Sequence, residues 1–177
     1  MQAEDYIKNG DFKQGKMRWI DDGRVVFLSE NGEELNQEQD GYIPVLKISL
    51  NSTKYSQISQ QLKHQANISF MNVFVELKPG SNYAKSQNIN ALSDTDWAPG
   101  DSWRAWIGVP KTRNDITTMA QGIKGGFIFQ SKNFSESNWH TIVFKLQSLE
   151  SKNAEKTLII SFPPGDGEIY IKRIWTE

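Results

Sequence analysis

The chain has 177 residues, of which 37% are hydrophobic, 23% charged and 11% aromatic, so it is neither disordered nor built of membrane-spanning helices. Basic and acidic residues are mixed along the sequence and give a net charge of −1, which argues against a nucleic-acid partner. The absence of cysteine excludes disulfides, zinc-thiolate sites and cysteine nucleophiles.

Nine segments show the two-residue periodicity of β-strands, separated by clusters of Gly, Pro, Asn, Asp and Ser. In chain order they are 24–28, 42–50, 56–63, 68–77, 103–109, 126–130, 139–146, 157–162 and 168–175. Helical periodicity is nearly absent, and 114–121 is readable as a short helix or as a loop. The pattern predicts one all-β domain over 1–177, an antiparallel two-sheet β-sandwich or jelly roll.

The segment 68–77 separates its residues by face. Its predicted inward set is Met71, Val73, Val75 and Leu77, and its outward set is Phe70, Asn72, Phe74 and Glu76. We expect loops to cover Phe70 and Phe74, because an exposed phenylalanine is costly and cannot form hydrogen bonds. Asn72 and Glu76 stay candidates for a binding groove.

The segment 103–109 carries the strongest candidate pair. Trp103, Ala105 and Ile107 fall on the predicted core side, which turns Arg104 and Trp106 outward. An indole beside a guanidinium group suits stacking on a sugar ring and pairing with its hydroxyls. The alternative is that a loop covers Trp106 and that Arg104 is a solvated charge.

Trp97 lies in the polar, turn-forming loop 94–101. It is either a clamp at the rim of a site or a plug at the end of the sandwich.

In the last segment, Ile169 and Ile171 share a face, whereas the next aliphatic residue, Ile174, comes three positions later. A β-bulge at 172–173 would return Ile174 to the core and turn Trp175 outward. The alternative is a strand with both faces partly covered.

The two ends of the chain carry a family resemblance. The chain opens with Asn9-Gly10-Asp11-Phe12, followed by Trp19, and closes with the β-rich stretch 165–175. This pairing resembles the jelly-roll carbohydrate-binding modules of the galactose-binding-like superfamily, especially families four, nine and twenty-two. The resemblance implies that the sheet ties down both termini and that Trp19 and Trp139 mainly pack.

The resemblance also implies the function. It implies a non-catalytic module that binds a polysaccharide or oligosaccharide, in an aromatic-lined groove centred on Arg104 and Trp106 with Asn72, Glu76, Trp97 and Gln130 around it. It further implies attachment to, or action with, a glycan-degrading enzyme, and an extracellular or cell-surface location, although the start of the chain shows no apolar signal region.

In the resembled modules, a structural calcium ion often joins the opening turn to the final strand. Here Lys172 and Arg173 occupy the stretch where those modules commonly carry paired aspartates, and two cations would repel the ion. We therefore expect no metal and no cofactor, and an ion pair from Asp11 or Glu168 to Lys172 or Arg173.

Two other functions stay open. One is a surface domain of the same fold that contacts protein or serves as a structural unit. The other is a jelly-roll polysaccharide lyase or a glycoside hydrolase, for which Arg104 with Tyr83 is the candidate pair. His140 falls in the core phase of its strand and is predicted to be packed, whereas His64 lies in a polar stretch.

Overall fold

The structure is a computed structural model that describes residues 6–14, 17–21, 25–29, 44–52, 56–62, 70–85, 102–108, 126–129, 138–147, 157–162 and 165–177. Within these ranges, some strand side chains are outside the description, including those of Arg104 and Trp106. The predicted helix or loop at 114–121, Trp97 and Gln130 also lie outside it.

Twelve strands form in this part of the chain. They are β1 (Ile20–Asp21), β2 (Val25–Ser29), β3 (Pro44–Ser49), β4 (Ser56–Gln61), β5 (Phe70–Pro79), β6 (Ala84–Lys85), β7 (Ser102–Gly108), β8 (Gly126–Phe129), β9 (His140–Gln147), β10 (Thr157–Phe162), β11 (Gly165–Asp166) and β12 (Glu168–Thr176). The nine longer strands coincide with the nine predicted segments. The two-residue strands β1, β6 and β11 were not predicted, because two residues are too few to show a period.

The strands build two five-stranded antiparallel sheets, which confirms the predicted sandwich. The first sheet has the order β1-β4-β10-β7-β8, and the second has the order β2-β3-β12-β5-β9. Strands β11 and β6 form a small two-stranded sheet. Neighbours such as β10 and β4 are far apart in sequence, so the sheets depend on long-range pairing.

The inward faces of the two sheets form the hydrophobic core. The second sheet contributes Leu46, Ile48, Val73, Val75, Leu77, Phe144, Ile169, Ile171 and Ile174, and the first contributes Ile58, Ala105, Leu158, Ile160 and Phe162. Burial of each large aliphatic or aromatic side chain contributes about 1.5–3 kcal/mol relative to leaving it exposed. The predicted inward phases of β5 and β7 are confirmed at Val73, Val75, Leu77 and Ala105, all fully buried.

Strand β12 contains the predicted bulge. Its register against β5 shifts between Ile171 and Arg173, so Lys172 is the extra residue. As a result, Ile174 is fully buried and Trp175 lies on the outer face, half-buried. The pairing of β12 with β3 ends at Ile171.

Beyond that point, the opening segment of the chain takes over the edge of β12. The Ile174 N–H donates to the Gly10 carbonyl at 2.8 Å, and the Tyr6 N–H donates to Thr176 Oγ1 at 2.8 Å. A side chain at position 10 would collide with the Ile174 carbonyl, so the close approach requires glycine. The sheet therefore ties both ends of the described chain together, as expected.

Two predictions about side-chain partners turn out differently. Among the described residues, the Asp11 carboxylate lies 4.0 Å from Lys13 Nζ, and the Glu168 carboxylate lies 3.5 Å from Lys47 Nζ. The predicted ion pairs to Lys172 or Arg173 are therefore wrong, because Lys47 on the neighbouring strand is nearer to Glu168 and the two bulge cations lie over aromatic rings.

None of the described segments is a helix apolar and long enough to cross a membrane.

Candidate functional site

The four predicted site residues that lie in described strands do not share one groove. Asn72 and Glu76 lie on β5 in the second sheet, whereas Arg104 and Trp106 lie on β7 in the first. Outer faces of opposite sheets point away from each other, so one sheet face cannot carry both pairs. The grouping into a single groove is therefore corrected. The roles of Arg104 and Trp106 stay a prediction, because their side chains lie outside the description.

The outer surface of the second sheet is rich in half-buried aromatic rings that stand outside the core. We call this surface the aromatic face, and its rings are Phe74, Trp139, Tyr170 and Trp175. The predicted site residues Asn72 and Glu76 are half-buried on the same surface. The face thus combines apolar rings with groups that form hydrogen bonds, which is the pairing that a sugar site needs.

Strand register arranges the side chains of the aromatic face in cross-strand rows. In one row, Tyr170 lies opposite Lys47 on β3 and Lys78 on β5. In the next, Arg173 lies opposite Glu76. Directly opposed residues in an antiparallel pair have Cβ atoms about 4.5–5.5 Å apart, so each row is a line of interacting side chains.

A third row is aromatic. Phe74 and Trp175 stack with ring centroids 5.2 Å apart and planes inclined by 10°. The Arg173 guanidinium carbon lies 4.4 Å from the centroid of the Trp175 ring. Phe74 was expected to be covered by a loop; it packs against this tryptophan of its own sheet. The contact exists only because the bulge turns Trp175 outward.

Trp139, which precedes β9, lies under two cations. Lys78 Nζ is 5.1 Å from the centroid of its ring, and Lys172 Nζ is 5.2 Å from it. Lys78 Nζ also lies 5.7 Å from the Tyr170 ring centroid. Both Trp19 and Trp139 were predicted mainly to pack, and Trp19 does so, with 7% exposure. Trp139 lies at the surface instead, and its position depends on long-range contacts that local sequence does not show.

Tyr170 is fixed by its neighbours at one end of the face. Its hydroxyl donates a hydrogen bond of 2.9 Å to Glu168 Oε1, and Lys47 is paired with the other oxygen of that carboxylate. Burial, followed by this hydrogen bond and the negative charge of Glu168, raises the pKa of Tyr170 to about 12. The phenol is therefore a hydrogen-bond donor at neutral pH.

The charge of the aromatic face is positive, although the chain as a whole carries −1. Among the described residues of this surface, the cations are Lys47, Lys78, Lys145, Lys172 and Arg173, and the carboxylates are Glu76, Glu168 and Glu177, the last of which lies opposite Asn72. Across the described ranges, no three potential ligands from His, Asp or Glu converge as a metal site would require. The expectation that no calcium binds stays a prediction.

The outer side of the first sheet differs from the aromatic face. Ile159 and Ser161 on β10 are fully buried, and Gln57 and Ser59 on β4 are 8% and 7% exposed. Their register partners on β7 include Trp106, opposite Ile159, and Arg104, opposite Ser161. The middle of this sheet therefore presents little open surface at its described side chains.

A cleft of about 470 Å³ lies where the opening loop meets β1 and β4. It is lined by Lys8, Arg18, Trp19, Ile20, Gln60, Gln61 and Leu62. Its one aromatic residue, Trp19, is buried in the core and donates its indole N–H to the Asn9 carbonyl at 3.0 Å. The cleft therefore offers no free ring for stacking.

Solved structures show what this fold is similar to, while neither a protein-family model nor a curated protein matches the sequence. TmCBM61 in complex with beta-1,4-galactotriose matches with a TM-score of 0.53 and 12% identity over 99% of both chains. The CBM22-1–GH10 part of Clostridium thermocellum xylanase 10B, complexed with xylohexaose, matches with a TM-score of 0.54 and 6% identity, covering 99% of this chain and 29% of that chain. Arabinose-bound MgGH51 α-L-arabinofuranosidase matches with a TM-score of 0.61 and 7% identity, covering 97% and 26%.

At these identities the comparisons establish the fold. The chain has the jelly-roll β-sandwich architecture of carbohydrate-binding modules, as the resemblance of its two ends implied. It matches one such module over its whole length, and corresponds to about a quarter of the two larger enzyme chains.

Proposed function

We propose that this chain is a non-catalytic carbohydrate-binding module that binds an oligosaccharide or polysaccharide on its aromatic face. The observation that carries the proposal is the position of Trp139. A large indole stands outside the core, half-buried, with the ammonium groups of Lys78 and Lys172 over its ring. Phe74 and Trp175 extend the apolar surface on the neighbouring strands.

The energetics favour displacement of the lysines by a sugar. A cation over an aromatic ring at an exposed site contributes about 0.5–1 kcal/mol, so the two lysines over Trp139 together contribute about 1–2 kcal/mol. Stacking of a sugar that removes about 100 Å² of apolar surface from water contributes about 2.5 kcal/mol. Because lysine side chains are long and flexible, the ammonium groups can move aside and pair with the ligand. The ring then exchanges a weak contact for a stronger one.

The neighbouring structures support a saccharide as the ligand class. One of them is complexed with galactotriose and another with xylohexaose. In the latter, the matching module belongs to a xylanase chain that also carries a GH10 module. By analogy, we propose that this chain acts with, or attached to, a glycan-degrading enzyme outside the cell or at its surface.

A non-catalytic role agrees with the state of Tyr83, the tyrosine of the alternative lyase site. Tyr83 packs against the core cluster, and burial raises its pKa well above the ordinary value of 10.0. A phenol held protonated in this way is a poor general base at neutral pH. Its role is packing.

Arg104 and Trp106, on the first sheet, stay proposed as a second sugar-contacting set, for which Trp97 and Gln130 are further candidates. Their test is independent, because β7 lies in the other sheet from the aromatic face. If variants of one sheet lose binding and variants of the other keep it, the site lies on the sheet whose variants lose binding.

The experiment is a glycan array followed by titration calorimetry on the best ligand. We expect Trp139→Ala to weaken binding by about tenfold, the equivalent of about 1.4 kcal/mol. Met17→Ala, at a 58% exposed apolar residue of the opening loop, is the control and should bind like the wild type. Trp106→Ala tests the other sheet in parallel.

Unchanged affinity in Trp139→Ala would remove the aromatic face as the site. Failure of the folded wild-type protein to bind any glycan would remove the function itself and favour the protein-contacting alternative.

A further inference from the structure

We infer that the aromatic face selects glycans whose sugars carry carboxylate groups, as uronate polymers do. This inference rests on the proposed function and specifies its ligand. Three features of the face support it: its positive charge, the position of its cations beside the rings, and the carboxylates that lie between the cations.

Two cations of the face, Lys78 and Arg173, form no ion pair with the described carboxylates. Among the described residues, the ion pairs are Asp11–Lys13, in the opening loop, and Lys47–Glu168, at one end of the aromatic face. Lys78 and Arg173 instead place their cationic groups over aromatic rings, at 5.1 Å and 4.4 Å. An anionic ligand would therefore supply a stronger partner than the one each cation now has.

The bulge places two cations between the two tryptophans. Lys172 lies over Trp139 and Arg173 over Trp175, and both follow Ile171, the last residue before the register shift. A uronate stacked on an indole holds its carboxylate at the edge of the sugar ring. That edge is within reach of the flexible lysine and arginine side chains, and a guanidinium group can pair with a carboxylate through two parallel hydrogen bonds.

The carboxylates on the face favour a glycan over a denser polyanion. Glu76 lies in the middle row, opposite Arg173 and Thr141, and Asn72 lies four residues away on the same strand face. Duplex DNA carries one negative charge per about 1.7 Å of its axis, more densely than a polymer with one carboxylate per sugar, so Glu76 repels it more strongly. A uronate chain has hydroxyls between its carboxylates, and Glu76 and Asn72 can accept or donate hydrogen bonds there.

The test compares two polymers that differ only in charge. Polygalacturonate and the same polymer after reduction of its carboxylates to primary alcohols are titrated against the protein in low salt. We expect about tenfold tighter binding of the acidic polymer, which becomes weaker as salt rises from about 0.02 M to about 0.5 M.

Charge-removing variants locate the effect. Lys78→Gln and Arg173→Gln should each weaken binding of the acidic polymer by about threefold to tenfold, and should weaken binding of the reduced polymer less. Lys13→Gln removes the same charge from the opening loop, where its side chain is 63% exposed, and should change neither. Circular dichroism establishes that each variant is folded.

Three outcomes overturn the inference. Equal affinity for the acidic and reduced polymers would show that the face does not distinguish charged from neutral sugars. The proposed function would still stand if Trp139→Ala weakened binding of both polymers. Equal or tighter binding of a sulfated glycan or duplex DNA would show unselective attraction of polyanions. Binding to neither polymer, together with a blank glycan array, would remove the proposed function as well.

Discussion

Asn9 organises the opening loop through its side-chain amide and its backbone carbonyl. Its backbone has a positive φ of 54°, its Oδ1 accepts from the Gln14 N–H at 3.0 Å, and its Nδ2 donates to the Met17 carbonyl at 2.9 Å. Its own carbonyl accepts from the Trp19 indole. Asparagine tolerates the left-handed conformation better than most residues, so one side chain both permits the turn and closes it.

The clearest prediction at the scale of single residues concerns Gln60, which is 2% exposed. Its amide accepts from the Lys8 N–H at 2.8 Å and donates to the Lys8 carbonyl at 2.7 Å. Gln60→Leu keeps a similar side-chain volume but leaves the Lys8 N–H and the Lys8 carbonyl without their hydrogen bonds to the Gln60 amide. We expect a loss of about 1–3 kcal/mol in the free energy of unfolding, measured by urea denaturation.

Gln61→Leu is the matched control, because the neighbouring side chain is exposed. It should change the free energy of unfolding by less than about 0.5 kcal/mol. Equal stability of the two variants would show that water replaces the Gln60 amide without cost.

Local sequence predicted the position of some side chains, in the core or at the surface, and not of others, for a physical reason. The packing of Trp19 is what the resemblance of the opening motif implied, and the outward turn of Trp175 is one of the two alternatives that the phase of its own strand allowed. The position of Trp139 depends on Lys78 and Lys172, which reach it from two other strands. No pattern near Trp139 contains that information.

At the scale of elements, the bulge in β12 determines which residues reach the surface. Strand β5 has no residue opposite Lys172, so removal of Lys172 should close the bulge and keep Ile171 and Ile174 inward. We expect the deletion variant to fold, with a loss of about 1 kcal/mol or less in thermal unfolding experiments. It should also bind an acidic glycan more weakly, because one cation beside Trp139 is gone.

Deletion of Ile171 is the contrasting variant. It removes a fully buried side chain, so we expect a loss of about 3 kcal/mol or more. If deletion of Lys172 proved equally damaging, the bulge would be a requirement for folding rather than a device that arranges the surface.

The strands themselves were predictable, but their allocation to sheets was not. Alternating apolar residues identify β5 and β7 from within each segment. Whether two strands join the same sheet depends on pairing across the chain, as between β12 and β5, which lie about ninety residues apart. That is why the predicted groove combined Asn72 and Glu76 with Arg104 and Trp106, which the fold separates.

For the whole molecule, the tyrosines predict how stability depends on pH. The pKa of Tyr170 is raised to about 12 and that of Tyr83 is raised further, so the folded protein keeps protons that the unfolded chain releases near pH 10. The stabilisation is complete below pH 10 and is lost as pH rises from 10 towards 12. Free energies of unfolding, measured by denaturant titration at pH 8, 10 and 11, should fall across this range.

Tyr170→Phe and Tyr83→Phe should each make that fall less steep, because the substituted side chain no longer titrates. Lysines also lose protons in this range, so the comparison with the wild type at each pH isolates the tyrosine contribution. A wild-type slope that neither substitution reduces would contradict the prediction.

The hydrogen bond from Tyr6 to Thr176 brings the first described residue beside the last but one. Adjacent strands are separated by about 5 Å, so a host protein could receive this domain within a surface loop by opening that loop only slightly. The same closeness permits circular permutation, since a short peptide could join the two positions while new ends are cut elsewhere. A domain with this geometry can be carried at either end of a partner or in its middle.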